Sequence, residues 1–210
     1  MTCVSLDNAD LSDGVTTLVN SVDDSTGGNE WTKIGEFTNS QGVIANGATV
    51  AVFMTQVSAQ INVGATIEAT LGTSTTAKSI ASLVFRFGAG SSVSIAGTVQ
   101  TLANDAAPVG SMAISGLSSG EYLFFRAMSA EARTPLSYTA TSGYSYALYG
   151  YGYDSGADAT SIAMGGEWDI ATGTGSTSAP TGTSSVDWAS VFFALQEVQP
   201  TSTLFFGAGV

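Results

Sequence analysis

Apolar and polar residues alternate with a period of two along most of the chain. The pattern is visible in 14–22, 29–37, 48–57, 64–71, 77–87, 92–102, 110–117, 121–130, 160–173 and 185–198. Alternation of this kind puts one set of side chains on each face of a pleated strand, so about ten strands are expected. Turn-forming clusters such as "DDSTGGN", "NSQGVIANG", "NDAAPVG" and "TGTGSTSAPTGTSS" separate them. No segment sustains a 3.6-residue apolar stripe. The expectation is an all-β protein, an antiparallel β-sandwich with jelly-roll-like wiring, formed as one domain over residues 1–198.

One strand breaks the alternation. In "SVDWASVFFALQEV", Trp188, Phe192 and Ala194 fall on one face and Ala189, Val191, Phe193 and Leu195 on the other, so both faces need cover. That cover is either the chain's own loops or a neighbouring subunit. After Pro200 the segment 199–210 carries Leu204, Phe205 and Phe206, an apolar run expected to dock on its own sandwich or on another copy. Both features point to a homo-oligomer, a trimer or contacts repeated around a particle. Trp31, Trp188 and Phe193 are expected in the core.

Five of the seven tyrosines lie in "GYSYALYGYGYDSG" (143–156). Tyr144 and Tyr146 share one parity, and Tyr149, Tyr151 and Tyr153 share the other, which requires a break near Ala147–Leu148. Gly150 and Gly152 suggest a bend, with the second trio more exposed than the first pair. Tyrosine offers a large amphipathic contact at low entropic cost, so Tyr149, Tyr151 and Tyr153 are candidate contacts for a glycan or a protein partner. Rings that merely pave the sheet edge explain the same stretch.

Composition narrows the chemistry. Charged residues are only 10% of the chain, and five basic against seventeen acidic residues give a net charge of −12. That balance repels phosphate backbones and anionic lipid surfaces, so neither nucleic acid nor membrane is an expected partner. No run of eighteen apolar residues suggests membrane insertion, and the start "MTCVSLDNADLSDG" has no basic or apolar signal-like region. Its abrupt entry into a strand-like segment suggests a longer reading frame. Cys3 is the single cysteine, so no internal disulfide forms.

The absence of histidine removes the usual nucleophile–imidazole dyads and the common zinc ligand sets. Carboxylate pairs remain, with Glu68, Glu121, Glu167 and Asp169 on strand-like segments and Glu167 and Asp169 on one face, the arrangement glycoside hydrolysis would need. Clustered oxygens in "DNADLSDG" make Asp7, Asp10 and Asp13 a candidate calcium site; turn capping by the same side chains needs no metal. No other cofactor is expected.

The stretches "GNEWTK", "GEYLFFRA" and "DWASVFFALQE", in that order within 15–198, resemble β-sandwich proteins encoded among the virion genes of tailed bacteriophages, marine ones especially. The resemblance implies a non-enzymatic structural or decorating protein of the capsid or tail surface, made in the host cytoplasm and partnered by other virion proteins. An adhesin module at a tail or fibre tip, binding host surface glycan or protein, is the alternative; a carboxylate-based glycan-degrading enzyme is the third. No catalytic residue is carried over by the resemblance.

Overall fold

The computed structural model describes residues 1–7, 15–39, 47–75, 77–104, 110–153, 160–181 and 187–199. Thirteen strands occur among them. One four-stranded antiparallel sheet has the order β3 (Thr32–Asn39), β4 (Ala48–Met54), β1 (Thr2–Asp7), β6 (Lys78–Ser82). A five-stranded antiparallel sheet has the order β10 (Ser145–Tyr153), β11 (Ser161–Gly173), β9 (Gly120–Glu131), β13 (Trp188–Val198), β7 (Ser92–Asn104). The expected antiparallel sandwich is the fold, and these two orders are its wiring.

The sheets face each other across one core. Cys3, Ile34, Val50 and Val52 from the first meet Leu123, Phe125, Val191 and Phe193 from the second. Two small two-stranded sheets, each pairing strands distant in the chain, then cover the outer faces. β2 (Val19–Asp24) with β5 (Ile67–Leu71) lies over Val4, Leu6, Ala51 and Phe53. β8 (Met112–Ile114) with β12 (Ser176–Ser178) lies over Tyr122, Phe124 and Phe192. This layering buries β1, β4, β9 and β13 on both faces along most of their length, so that even their polar residues, such as Thr2 and Ser5 on β1, are covered.

The doubly apolar strand 188–195 is therefore covered by its own chain, between β9 and β7 and between two layers, so it gives no reason to invoke a second subunit. Trp188 and Phe193 are fully buried as expected, whereas Trp31 is half-buried against the β2–β5 layer, its Nε1 donating to Asp24 Oδ2 at 3.0 Å. Leu204, Phe205 and Phe206 lie outside the described residues.

Asp7 ends β1 with a buried Oδ1 that has no hydrogen-bond partner among the described residues, and burial pushes its carboxyl up to about 6. Asp10 and Asp13, its expected companions in a calcium site, lie outside the described residues, and no group of three His, Cys, Asp or Glu side chains with metal-binding geometry occurs among those that are described. The native state holds a proton on Asp7 that the unfolded chain, with a carboxyl near 3.8, releases earlier. Stability therefore falls as pH rises from about 4 to about 6. Asp7→Asn is expected to match the parent below pH ~4 and to exceed it by about 1–3 kcal/mol above pH ~6, read from urea midpoints across that range. Parallel pH profiles for the two proteins would show that Asp7 is not desolvated.

Candidate functional site: a tyrosine-walled cleft between two sheet edges

β10 is an edge strand of the large sheet and β6 an edge strand of the small one, and the two meet at one side of the sandwich. They are pinched together at one end because two residues lack side chains. A Cβ on Gly152 would stand 2.1 Å from the Lys78 carbonyl oxygen, and one on Gly150 would stand 2.4 Å from Ser79 Oγ. Close backbone approach, more than bending, is the reason for both glycines. The strand continues through them to Tyr153, which pairs with Ser161, so the expected glycine-hinged loop is instead regular strand.

Away from the pinch the edges diverge. Leu148 adopts φ 55° and the pairing with β11 shifts between Ala147 and Tyr149, a β-bulge where the tyrosine parity demanded a break. Ala147 and Leu148 both turn into the core, and the parity reverses beyond them. Gly150 and Gly152 then face β6 while Tyr151 faces out, on the same side of the sheet as Tyr144 and Tyr146. The divergence leaves a cleft of about 730 Å³ lined by Leu83, Leu136, Tyr138, Tyr146, Leu148 and Met164.

Its aromatic wall is fixed in place. Tyr138 and Tyr146 pack at 5.2 Å between ring centroids with planes inclined at 58°. Tyr138 Oη donates to the Gly166 carbonyl and accepts from Gly166 N at 2.9 Å, spanning the sheet backbone where Gly165 leaves room for its ring. Tyr146 Oη donates to the Tyr138 carbonyl at 2.8 Å and accepts from Ala140 N at 3.4 Å. Its hydroxyl is thus engaged while the ring stays 61% exposed; Tyr151 is 46% exposed. Tyr146 is the more exposed of the two, contrary to the expected order, whereas Tyr144, half-buried with its Oη paired to Ser176 Oγ at 2.8 Å, is less exposed than Tyr151, in line with it. The backbones of Tyr149 and Tyr153 belong to β10; their side chains lie outside the described set.

Beneath the wall sits a buried polar cluster. Arg126 on β9 and Glu167 on β11 are paired across the sheet and both are fully buried. They are joined through Ser178: Arg126 Nη1 donates to Ser178 Oγ at 3.2 Å, and Ser178 Oγ donates to Glu167 Oε1 at 2.5 Å. Arg126 Nε and Nη2 also reach Ser190 Oγ at 3.2 and 3.1 Å, and Nη1 reaches the Ser178 carbonyl at 3.2 Å. Glu167 accepts Thr141 N and Thr141 Oγ1, each at 2.7 Å. Burial lowers the Arg126 guanidinium to about 10, with the nearby Glu167 charge opposing that fall. The cluster thereby ties the 138–141 segment, which carries the cleft wall, to the centre of the sheet.

The other candidate acids do not gather around it. Asp169 lies further along β11, and Glu68 is on β5, where it accepts from Thr66 Oγ1 at 3.2 Å. Glu121 lines a separate groove of about 370 Å³ with Arg86, Trp168 and Glu197. Glu197 there accepts from Gly88 N at 3.0 Å, from Gln199 Nε2 at 2.5 Å and from Ser91 Oγ, holding the 88–91 turn. Sequence reading missed Tyr138, Arg126 and Ser178. The one available signal was Arg126 itself, a lone cation inside the apolar run "YLFFRAM".

No helix among the described residues is long and apolar enough to cross a membrane. No protein-family model, curated protein or solved structure matches the chain.

Proposed function

We propose that this chain is a non-enzymatic structural protein of a bacteriophage particle that meets its partner through the Tyr138–Tyr146 cleft. The observation that carries the reading is the preorganised ring of Tyr146, exposed over an apolar cleft while its hydroxyl is already engaged by the fold. A contact that needs no side-chain ordering on binding keeps more of its interaction energy. The engagement of Glu167 and Glu197 as structural acceptors favours a contact role over glycoside hydrolysis. The virion setting rests on the sequence resemblance.

Replacing Tyr146 and Tyr151 together by serine is expected to cost about 1–2 kcal/mol and leave the fold intact, because the rings are 61% and 46% exposed and the main bond lost is that from Tyr146 Oη to the Tyr138 carbonyl. Particles grown with that variant, labelled with immunogold against this protein, should then carry at least about tenfold less of it, the equivalent of ~1.4 kcal/mol in the contact. Normal incorporation with weakened adsorption to host cells would instead assign the cleft to host recognition. If both incorporation and adsorption are unchanged, the cleft is not the contact surface.

A further inference from the structure

The outer edge of β6 carries backbone groups that the fold does not use. β6 pairs only with β1, and Asp7 N donates to the Ala77 carbonyl at 3.0 Å, which fixes the phase of the ladder. In an antiparallel pair every second residue exchanges bonds with its partner, so Ala77, Ser79 and Ala81 turn their N–H and C=O to β1. The same phase returns at Leu83, whose N donates to the Met1 carbonyl at 2.8 Å. Even-numbered residues therefore turn theirs to the outer edge, and the Lys78 carbonyl accordingly lies against Gly152 of β10. Burial keeps alternating through 83–87, with Leu83, Phe85 and Phe87 packed on the core and Val84 and Arg86 exposed, so the chain stays extended and the phase holds. Among the described residues no hydrogen bond reaches the backbone of Ser82, Val84 or Arg86 on that side.

The edge is accessible because the large sheet withdraws from it. Gly150 and Gly152 press on Ser79 and Lys78, but β10 begins only at Ser145, opposite Trp168, while β11 runs on to Gly173. The tyrosine cleft borders Ala81, Ser82 and Leu83, and the groove of about 370 Å³ borders residues 83–87, so the two follow one another along the edge. Ser82 to Arg86 span about 13 Å, the length of a short strand. The opposite wall is apolar, with Leu148 and Met164 in the cleft and Trp168 and Ile170 in the groove. Val84 on the edge is 89% exposed and Ile170 across from it 53%.

Open N–H and C=O groups at alternate residues, beside an apolar wall, meet the needs of an added strand: main-chain bonds hold it, and the wall selects every second side chain. Arg86 narrows the choice further. It is one of five basic residues in a chain of net charge −12, stands exposed on the edge, and makes no salt bridge or hydrogen bond among the described residues. Its complement is a carboxylate directly across the strand pair. A second copy is a poor occupant, since it would bring another net charge of −12 to the contact.

We propose that the partner docks as an extended peptide segment, antiparallel to residues 82–86, adding one strand to the outer edge of the small sheet. Alternate residues of the segment are apolar and turn towards Leu148, Met164 and Trp168; one residue on its other face is an Asp or Glu opposite Arg86. The antiparallel sense follows that of every pair in both sheets. The inference rests on the reading of the tyrosine cleft as the partner's contact and supplies the mode of that contact.

A displayed library of random peptides, panned against the full chain, supplies the probe. Enriched peptides are expected to alternate apolar and polar residues, with an Asp or Glu in the polar set. When the tightest of them is synthesised and added to saturation, the amides of Ser82, Val84 and Arg86 should exchange at least about tenfold more slowly, while those of Ala81 and Leu83, already bonded to β1, stay unchanged. Protection without that alternation, or a library that yields no binder, overturns the proposal. Slow exchange of the three amides in the free protein overturns it too, in favour of a second copy where the slowing grows with protein concentration. Val84→Pro removes an N–H that the fold leaves free, and should weaken the peptide at least about tenfold. Val63→Pro, in the Asn62–Ala65 turn where Gly64 adopts φ 88°, should not. Peptide binding lost with Tyr146→Ser but kept by Val84→Pro overturns strand addition and leaves the tyrosine cleft as the contact. Binding lost with Val84→Pro but kept by Tyr146→Ser supports strand addition and removes the tyrosine wall from the contact. Should Val84→Pro fail to fold, the amide pattern alone decides.

Discussion

Trp188→Ala is expected to lower the stability of the fold by about 3–5 kcal/mol, a large share of the ~5–15 kcal/mol that holds a domain together. Trp188 opens β13 with 1% of its surface exposed and packs on Met128, Ala130, Leu102, Leu136 and Tyr138. Strands on both sides fix the backbone at this point, since Trp188 pairs with Ala130 on β9 and with Asn104 on β7. The surroundings can collapse little into the space, and the full cavity penalty applies. The ring also lies under the Arg126 guanidinium, whose Cζ is 5.9 Å from its centroid, so truncation removes apolar cover from a buried cation as well. Trp31→Ala serves as the contrast: its ring is half-buried, and a loss of about 1–3 kcal/mol is expected. Urea denaturation of both variants checks the ranking; a Trp188→Ala midpoint equal to the parent's would mean that this ring is not part of the core.

The alternation that marked strands was legible because each strand packs at least one face on a neighbour, and period two is the direct trace of that. β13 was legible as buried on both faces for the same reason. Its covering layer was only half legible: the alternation over 110–117 contains β8, whereas the three residues of β12 are too few for a periodic signal and fall in the turn-like stretch "TGTGSTSAPTGTSS". The break at Ala147–Leu148 could be read from the parity of the tyrosines, and the structure puts a bulge with positive φ at Leu148. What parity could not carry was the consequence: the bulge restores Tyr144, Tyr146 and Tyr151 to one side of the sheet and turns Gly150 and Gly152 towards β6. Glycine is ambiguous in sequence, since a hinge and a site of close backbone approach use the same residue. Tyr138 was illegible because its role depends on Gly165 and Gly166, which are distant in sequence and adjacent only after β11 pairs with β9.

The buried Arg126–Ser178–Glu167 cluster makes the last expectation, one whose sign is unusual. Arg126→Met fills roughly the same volume with apolar atoms but leaves the Glu167 carboxylate buried without a cation, and a stability loss of about 3–5 kcal/mol is expected. Adding Glu167→Gln to that variant should recover about 1–3 kcal/mol: the charge is removed, and the amide oxygen in the place of Oε1 still accepts from Thr141 Oγ1 and Ser178 Oγ, with only the bond from Thr141 N to Oε2 lost. Glu167→Gln alone, in the presence of Arg126, should be destabilising, because the guanidinium then loses the opposing charge that partly offsets its desolvation. A four-member cycle by urea denaturation therefore has one change that harms the parent and helps the Arg126→Met variant. Strict additivity of the two substitutions would show that Arg126 and Glu167 are not coupled through Ser178. Because Glu167 anchors Thr141, the same Arg126→Met variant should also loosen the 138–141 segment. Amide exchange at Thr141 should quicken before that of the β9 and β13 strands, linking the buried charge pair to the order of the tyrosine wall above it.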